Sequence, residues 1–327
     1  MKGRKDAVPG ARIVGPAVKQ ERRRALCGAR ELTGDGERAR SEMLQLGCTH
    51  LDCPFLRPMI PAASRSLCPR KEPQMADRKQ LPGKFVWFEL VSKDAKKAQA
   101  FYGEVLGWKV QPFPMGNSTY EMIYAGDTMI GGYATPKSDR QPAHWISYVS
   151  VEDVDATVKA ATANGGKVVE APYDIPTVGR SARIADPLGA ELCPFKSLEG
   201  DPADALPPRG GWCWNELHTS DPAKALAFYE KVLGFSHRTL SGPGGAYHIL
   251  SRGGVDRGGV TDQGGERPHW LPYVAVEDAD ATIARARKLG GTICFGPEDI
   301  PNVGRFGVLQ DPTGAALAVL KPFPMQK

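Results

Sequence analysis

DAKKAQAFYGEVLGW (residues 94–108) and DPAKALAFYEKVLGF (residues 221–235) are two copies of one pattern, 127 residues apart. Each copy begins at a Ser or Asp that can cap a helix, and apolar residues then recur at spacings of three and four. Gly107 and Gly234 follow the last apolar residue, where a helix commonly ends in the left-handed conformation. Each copy therefore predicts a capped helix between two strands. A repeat of this length indicates a duplicated domain.

The sequence on either side of each copy continues the duplication. In the first half, strand-like segments rich in β-branched and aromatic residues are KFVWFELVS (84–92), TYEMIYAG (119–126), TMIGGYAT (128–135) and HWISYVSVED (144–153). The second half repeats the order with GWCWNELHTSD, HWLPYVAVED, DIPNVGRF and LQDPTGAALAVL. Within each half, the order strand, helix, strands occurs twice. We therefore predict four modules in two domains, residues 80–196 and 211–323, joined by a linker at residues 197–210 that is rich in Pro and Asp.

Length and composition are typical of a soluble globular protein with about two domains. The chain has 327 residues, and no apolar run approaches the roughly 20 residues needed to cross a bilayer. Residues 1–75 contain 15 Lys and Arg against 8 Asp and Glu, so the net charge of +5 originates in this segment. We predict that residues 1–79 form a disordered basic extension, and that the protein binds neither nucleic acid nor a membrane.

The cysteines are divided between the extension and the two domains. The extension contains Cys27, Cys48, Cys53 and Cys68. Its segment CTHLDC suggests a zinc site, but structural zinc sites usually have two close ligand pairs, and a second pair is missing here. Cys193, Cys213 and Cys294 are scattered, which is typical of buried thiols in a reducing compartment. We therefore predict a cytoplasmic protein.

Three motifs together carry a family resemblance. D-x-x-x-a-x-x-F-Y-x-x-V-L-G-[WF], H-W-x-x-Y-V-x-V-E-D and G-R-x-x-x-x-x-D-P-x-G-A follow one another in each half. This order resembles the vicinal oxygen chelate superfamily, which includes glyoxalase I, bleomycin-resistance proteins and extradiol dioxygenases. It is most similar to tandem glyoxalase-like proteins of bacteria, some of which are named as hydroxylases. The resemblance implies an α+β fold of two tandem glyoxalase-like domains, each with two βαβββ modules whose sheet forms a cupped half-barrel.

The resemblance also implies a divalent metal, held in each cup by His, Gln and Glu side chains. Counted from the motifs, the usual ligand positions hold Trp87, Ile146 and Cys193 in the first domain, and Trp214, Leu271 and Ala318 in the second. Indole, alkyl and methyl groups cannot bind such a metal, and Cys193 alone cannot make a site, although it could bind weakly with other ligands. We therefore predict no cofactor and no standard metal site. A divalent metal would need a non-standard ligand set, such as Glu216, His218 and His269.

Polar residues near these positions are candidates for a site because side chains two apart on a strand share a face. A glutamate in an apolar cup could act as a general base with a raised pKa and a histidine partner. The predicted catalytic residues are Glu89, Glu216, His144 and His269. The predicted substrate-binding residues are Trp87, Trp214, Tyr148, Tyr273, Arg180, Arg305 and His218.

A structural interpretation of the same residues remains open. The two histidines could hydrogen-bond a neighbouring loop, and the two glutamates could pair with Arg180 and Arg305. These arginines follow the predicted loops DIPTVGR and DIPNVGR and could instead bind a carboxylate ligand at the mouth of a cup. The repetition of the residues does not decide the matter, because duplication copies structural and functional residues alike.

Two classes of function fit the sequence. The first is an enzyme of the glyoxalase and dioxygenase-like group, a lyase or oxidoreductase, that acts on a small oxygenated or aromatic organic molecule. The second is a non-enzymatic protein of the bleomycin-resistance type that binds a drug or metabolite. In both cases the expected partner is a small organic molecule. We expect a monomer or a homodimer.

Overall fold

The computed structural model describes residues 78–323, apart from residues 116–117, 243–244 and 263–266. Residues 78–323 belong to one compact unit. The predictions made for residues 1–77, including the four cysteines of the basic extension, lie outside the described residues. Each half of the described chain forms one sheet of eight strands with two helices.

The first sheet contains β1 (Phe85–Val91), β2 (Lys109–Met115), β3 (Ser118–Ala125), β4 (Thr128–Ala134), β5 (His144–Ser150), β6 (Lys167–Ile175), β7 (Gly179–Ala185) and β8 (Glu191–Ser197). The second sheet contains β9 (Trp212–His218), β10 (Ser236–Gly242), β11 (Gly245–Arg252), β12 (Val255–Thr261), β13 (His269–Ala275), β14 (Thr292–Ile300), β15 (Gly304–Gln310) and β16 (Ala316–Pro322). The helices are α1 (Ala95–Leu106), α2 (Val154–Ala163), α3 (Pro222–Leu233) and α4 (Ala279–Lys288).

The strand order shows how four modules make two domains. It is β2-β3-β4-β1-β5-β8-β7-β6 in the first sheet and β10-β11-β12-β9-β13-β16-β15-β14 in the second. The first strands of the two modules in each domain, β1 with β5 and β9 with β13, pair antiparallel at the centre of the sheet. Each module therefore contributes one half of a sheet. The predicted α+β fold, with two tandem domains of two βαβββ modules each, is confirmed.

The repeated helices begin and end as their sequences predict. The side chains of Asp94 and Asp221 accept hydrogen bonds from backbone N–H groups in the first turns of α1 and α3, at 3.0 Å in both cases. Gly107 and Gly234 end the two helices with φ of 73° and 64°, in the left-handed region that a glycine adopts without strain. Both ends of these helices therefore depend on local interactions.

The two aromatic residues of the repeated phrase join the domains. Phe228 of α3 packs against Gly166 of the first domain, where an added Cβ would lie only 2.8 Å from the Phe228 ring. The neighbouring Tyr229 donates a hydrogen bond to Oδ2 of Asp186 in the first domain at 3.2 Å, and accepts one from the Trp270 indole at 3.2 Å. One apolar core accordingly contains α3 together with α2, and another contains α1 together with α4.

The segment that connects the two sheets is anchored to both. Asp201 is buried, and its Oδ2 accepts hydrogen bonds from the Ser150 hydroxyl and the Leu81 N–H, both at 2.5 Å. Asp204 forms ion pairs with Lys84 of the first domain at 3.1 Å and with Arg257 of the second at 2.7 Å. The connection predicted as a linker is therefore held in place by specific polar contacts.

The predicted loops DIPTVGR and DIPNVGR are shorter than expected. β6 continues to Ile175 and β7 already begins at Gly179, so only residues 176–178 form the turn, and residues 301–303 form its copy. Thr177 and Asn302 occupy equivalent positions in these turns and have positive φ, 65° and 62°. A positive φ is unusual for a β-branched residue, whereas Asn tolerates it.

We expect Thr177→Asn to raise the free energy of unfolding by about 1 kcal/mol, because it relieves this backbone strain. Urea denaturation monitored by circular dichroism would measure the change. The matched control is the reverse substitution in the second domain, Asn302→Thr, which should lower stability by a similar amount. Shifts of the same sign in both variants would contradict the explanation.

None of the four described helices is long and apolar enough to span a membrane. The three cysteines of the domains are free thiols, with Cys193 buried and Cys213 and Cys294 half-buried. The cytoplasmic location and the oligomeric state stay predictions.

Candidate functional site

One face of each sheet, opposite the helices, carries a buried cluster of aromatic and polar side chains; we call this face the cup. The first cup is defined by Trp87, Glu89, Tyr120, Tyr148 and Cys193. The second cup is defined by Trp214, Glu216, His218, Tyr247 and Tyr273. As predicted from strand alternation, Trp87 and Glu89 share one face of β1, and Trp214, Glu216 and His218 share one face of β9.

A chain of hydrogen bonds organises the first cup around Glu89. The Tyr120 hydroxyl donates to Oε1 of Glu89 at 2.8 Å, and the Tyr148 hydroxyl donates to Oε2 at 3.1 Å. The Trp87 indole in turn donates to the Tyr120 hydroxyl at 3.1 Å. Both carboxyl oxygens therefore have a tyrosine partner, and three of the predicted site residues lie together.

The second cup repeats this arrangement around Glu216 and adds a histidine. The Tyr273 hydroxyl donates to Oε1 of Glu216 at 3.0 Å, and the Trp214 indole donates to the Tyr247 hydroxyl at 2.8 Å. Tyr247 also hydrogen-bonds Glu216. Nε2 of His218 lies 2.8 Å from Oε1 of Glu216, and both residues are buried, with 7% and 9% exposure.

Each glutamate lies beside a glycine that makes room for a tyrosine. Gly132 is the strand partner of Glu89, and Gly259 is the partner of Glu216. A Cβ at these glycines would lie only 2.1 Å from the Tyr120 hydroxyl oxygen and 1.9 Å from the Tyr247 hydroxyl oxygen. The sequence prediction did not include either tyrosine. The available signal was a tyrosine and a Gly-Gly pair at equivalent places in both domains.

The two glutamates differ in their electrostatics. Burial raises the pKa of Glu89, and hydrogen bonds from Tyr120 and Tyr148 only partly offset this effect. Burial also acts to raise the pKa of Glu216, but the hydrogen bond and charge of His218, with the two tyrosine hydroxyls, outweigh it and hold the pKa below its ordinary value. The raised pKa that the sequence predicts is therefore found at Glu89, whereas the pKa of Glu216 shifts the opposite way.

The two predicted catalytic histidines both contact a loop, in agreement with the structural interpretation. Nδ1 of His144 lies 2.9 Å from the Pro142 carbonyl oxygen, and Nδ1 of His269 lies 2.9 Å from the Arg267 carbonyl oxygen. Burial lowers the pKa of both rings. His269 also stacks on His218, with ring centroids 5.0 Å apart. No hydrogen bond between His144 and Glu89 is found in the described part of the chain.

Arg180 and Arg305, which the sequence analysis lists as substrate-binding residues, are each paired with two carboxylates of the protein. Arg180 forms ion pairs with Asp155 at 2.7 Å and Asp174 at 2.8 Å, and Arg305 pairs in the same way with Asp280 and Asp299. Asp155 and Asp280 lie in the first turns of α2 and α4, so these arginines face the helices. The suggested pairs of Arg180 with Glu89 and Arg305 with Glu216 are therefore not formed, and substrate binding by these arginines stays a prediction.

A different arginine, which the sequence did not single out, faces the first cup. Arg183 lies three residues after Arg180 on β7, and alternation turns it to the opposite face. Its Nε is 2.6 Å from Oε2 of Glu191, its Nη2 is 2.7 Å from Nε2 of His144, and its charge acts on Glu89. The first cup therefore has a cationic wall.

The second cup has an aromatic wall instead. Phe306 stacks on Tyr273 with ring centroids 6.3 Å apart, and Phe295 packs on Phe306 at 5.2 Å. Val308 occupies the position equivalent to Arg183. Val308 pairs with Phe295 of β14, just as Arg183 pairs with Glu170 of β6.

The positions that the resemblance assigns to metal ligands lie within apolar clusters of the cups. Trp87, Ile146 and Cys193 belong to one such cluster, and Trp214, Leu271 and Ala318 belong to its counterpart. Five of these six side chains have no metal-binding atom, and the buried thiol of Cys193 alone cannot hold the divalent metal that the superfamily implies. The part of the chain that the structure describes contains no group of three His, Cys, Asp or Glu that could hold a metal ion. In the suggested non-standard set, Nε2 of His218 lies 2.8 Å from Oε1 of Glu216 and the His218 ring stacks on His269. The absence of a cofactor stays a prediction.

Two clefts lie outside the cups. One, of about 570 Å³, borders the exposed side of α3 near His237 and His248, and the other, of about 430 Å³, lies between the domains beside Arg209 and Arg285. Neither contains a residue of the cups. We assign the candidate site to the cups because they concentrate buried titratable groups, which commonly mark functional sites.

Comparison with protein families matches both domains. The family model described as "Glyoxalase/Bleomycin resistance protein/Dioxygenase superfamily" matches residues 214–319, and the family model "Bleomycin resistance protein-like N-terminal" matches residues 84–120. "Putative glyoxylase CFP32" from Mycobacterium tuberculosis is 38% identical over 248 residues, which cover 73% of this chain and 95% of the relative. "Anthracycline biosynthesis protein DnrV" from Streptomyces peucetius is 33% identical over 262 residues, which cover 73% of this chain and 94% of the relative.

Solved structures share the fold at low sequence identity. The Mn(II)-bound glyoxalase from Novosphingobium aromaticivorans has a TM-score of 0.53 and 18% identity, and the match covers 73% of this chain and 82% of that one. An extradiol ring-cleaving dioxygenase from B. fuscum has a TM-score of 0.54 and 17% identity, with 76% and 74% coverage. At these identities, the likeness concerns the fold alone.

Proposed function

Because this chain belongs to the glyoxalase, bleomycin resistance protein and dioxygenase superfamily, we propose that each of its two cups binds a small aromatic molecule that bears oxygen. The observation that carries the proposal is the buried glutamate of each cup, Glu89 or Glu216, held by tyrosine hydroxyls on an otherwise apolar face. Ligand sites typically combine an apolar lining with a few convergent polar groups.

The proposed ligand is held without a metal at the usual positions of the superfamily. Trp87 and Trp214, which stand at the first of these positions, offer a flat indole face beside the glutamate. An aromatic ring can stack on such a face, while its oxygen substituent hydrogen-bonds the carboxyl group. The glutamates thereby take the orienting role that a metal has in other members of the superfamily.

The relatives support an aromatic or oxygenated ligand. One has a name that places it in anthracycline biosynthesis, and another is named as a glyoxylase. Binding of an organic molecule is required in both classes of function considered, the enzyme and the non-enzymatic binding protein. We therefore propose ligand binding as the common property of both cups.

A binding experiment with 4-nitrocatechol tests the proposal, since this probe carries hydroxyl groups on an aromatic ring. We expect calorimetry to show two binding sites per chain. Glu89→Gln should weaken the site in the first cup about tenfold, because a hydrogen bond to a charged group contributes about 1.5–3 kcal/mol. Trp214→Leu should remove the site in the second cup.

Two controls make this result specific. Arg180→Lys changes a residue outside the cups and should leave both sites intact. Cyclohexane-1,2-diol, which has hydroxyl groups but no aromatic ring, should not bind. The proposal fails if 4-nitrocatechol shows no saturable binding, or if Arg180→Lys weakens binding as much as the cup variants do.

A further inference from the structure

The two cups are copies of one design, so residues that differ between them at equivalent positions are not required by the fold. Val91 ends β1, whereas His218 ends β9 at the same place in its sheet. Arg183 faces the first cup, whereas Val308 takes its place in the second. Both differences surround the histidine that begins the central strand of the second module, His144 or His269.

Because Val308 replaces Arg183 in the second cup, Nε2 of His269 has no hydrogen-bond partner among the described residues. Because Nδ1 lies beside the Arg267 carbonyl oxygen, it must donate, so Nε2 of the neutral ring carries the lone pair. In His144, the equivalent Nε2 accepts a hydrogen bond from Arg183 at 2.7 Å. Val308 offers no donor, and no hydrogen bond to Nε2 of His269 is found among the described residues. His269 therefore presents an unused base to the second cup.

His218 supplies a second unusual feature beside this base. Its ring stacks on His269 and its Nε2 lies 2.8 Å from Oε1 of Glu216, but neither ring nitrogen has hydrogen-bond geometry to a partner among the described residues, despite the burial of the ring. Leaving a buried polar atom unpaired costs about 1–3 kcal/mol. The first cup has a buried valine, Val91, at the position of His218, so the fold does not require a polar side chain there. A buried histidine at a position where the fold accepts a valine is therefore a candidate functional residue.

We propose that the second cup is an acid–base site in which His269 removes a proton from the hydroxyl group of a bound phenol or enol. This inference rests on the proposed function, since it requires the ligand to occupy the cup. The O–H bond of the ligand breaks, the proton forms an N–H bond at Nε2 of His269, and the electron pair remains on the ligand oxygen. In the proposed step, His218 is the protonated ring: its charge is balanced by Glu216, and it donates its Nδ1–H to the resulting oxyanion. The step needs no oxidant or reductant.

The charges around His269 act in both directions. Burial lowers its pKa and the neighbouring charge of His218 lowers it further, so the ring is unprotonated before the ligand binds and Nε2 keeps its lone pair. These effects also weaken the base, and the anionic ligand oxygen that the transfer creates offsets them. Glu216 is the other charged group that acts on the ring, and it favours the protonated form that the transfer creates. In the first cup, Nε2 of His144 already accepts a hydrogen bond from Arg183, so it is not available to a ligand proton. We therefore expect the first cup to bind a ligand without removing a proton from it.

The test uses 4-nitrophenol, whose phenolate absorbs visible light and thus reports its own ionisation. The apparent pKa of the bound probe is measured in two backgrounds, Glu89→Gln, which leaves the second cup intact, and Trp214→Leu, which leaves the first. We expect the second cup to lower the pKa of the probe by about one unit, a tenfold change in ionisation, and the first cup to leave it unchanged.

Two substitutions in the Glu89→Gln background assign the effect to His269. His269→Gln should abolish the shift while the probe still binds. Val308→Arg copies the residue found in the first cup. It should also abolish the pKa shift of the probe, because the new guanidinium donates a hydrogen bond to Nε2 of His269. A full shift in His269→Gln, or an equal shift in the first cup, overturns the inference while the proposed function stands. Absence of binding to the unmodified protein overturns both.

Discussion

Phe228→Ala is expected to lower the free energy of unfolding by about 3–5 kcal/mol, the usual cost of removing a buried phenylalanine ring. Phe228 is 3% exposed and packs against the backbone of Gly166 in the other domain. Its loss opens a cavity at the contact between domains. The neighbouring backbone cannot close that cavity easily, because it belongs to a hairpin and a helix end that are anchored elsewhere.

Guanidinium denaturation followed by circular dichroism would measure this loss. Phe101→Ala is the matched variant, since Phe101 packs in the same way against Gly291, where an added Cβ would lie 2.8 Å from the ring, and its effect should be similar. Phe113→Ala removes the same side chain from an exposed site on β2 and should cost less than about 1 kcal/mol. If Phe228→Ala costs no more than Phe113→Ala, the repeated phrase does not stabilise the domain contact.

Glu216→Gln and Glu89→Gln are expected to change stability in opposite directions at neutral pH. Glu216→Gln should cost about 1–3 kcal/mol, because it replaces a buried carboxylate that His218, Tyr247 and Tyr273 all contact and leaves these groups with a poorer acceptor. Glu89→Gln should stabilise the protein, since it replaces a carboxyl group whose ionisation burial opposes with a neutral group of the same shape. Equilibrium denaturation of both variants and the unmodified protein measures the two changes.

The pH dependence of the two changes provides a sharper criterion. The folded-state pKa of Glu216 is lowered, so its contribution is present above its ordinary value of 4.5 and is lost as the pH falls through the folded-state pKa. The folded-state pKa of Glu89 is raised, so stability is lost as the pH rises from 4.5 through the folded-state pKa. The difference between each variant and the unmodified protein should therefore change with opposite slopes. Slopes of the same sign would contradict the assigned electrostatics.

Much of the site follows from the alternation of side chains along one strand. Trp87 and Glu89 share a face of β1, and their tyrosine partner Tyr148 lies on the adjacent β5, which the sequence places as the first strand of the next module. The residues that escaped prediction come from more distant strands. Tyr120 reaches Glu89 across β4, over a glycine whose importance depends on register.

Strand pairing also explains why the sequence pattern does not show which arginine of β7 faces the first cup. Arg180 and Arg183 lie on one strand and face opposite sides, and only the pairing of β7 with its neighbours determines which side is the cup. The β6–β7 pairing contains two irregularities, between Val168 and Glu170 and between Glu170 and Tyr173. The extra residues lie on β6, so they change the faces along β6 and leave the alternation along β7 intact, and a sequence pattern does not reveal such a register.

The modules, the capped helices and the duplication are readable from the sequence, because caps, helical spacing and strand alternation act between residues close in the chain. The contact of Phe228 and Tyr229 with the other domain, and the opposite pKa shifts of Glu89 and Glu216, become visible only in three dimensions. Those properties depend on burial and on charges brought together from distant strands. Two nearly identical local patterns can therefore build one fold twice and still give two cups of different chemistry.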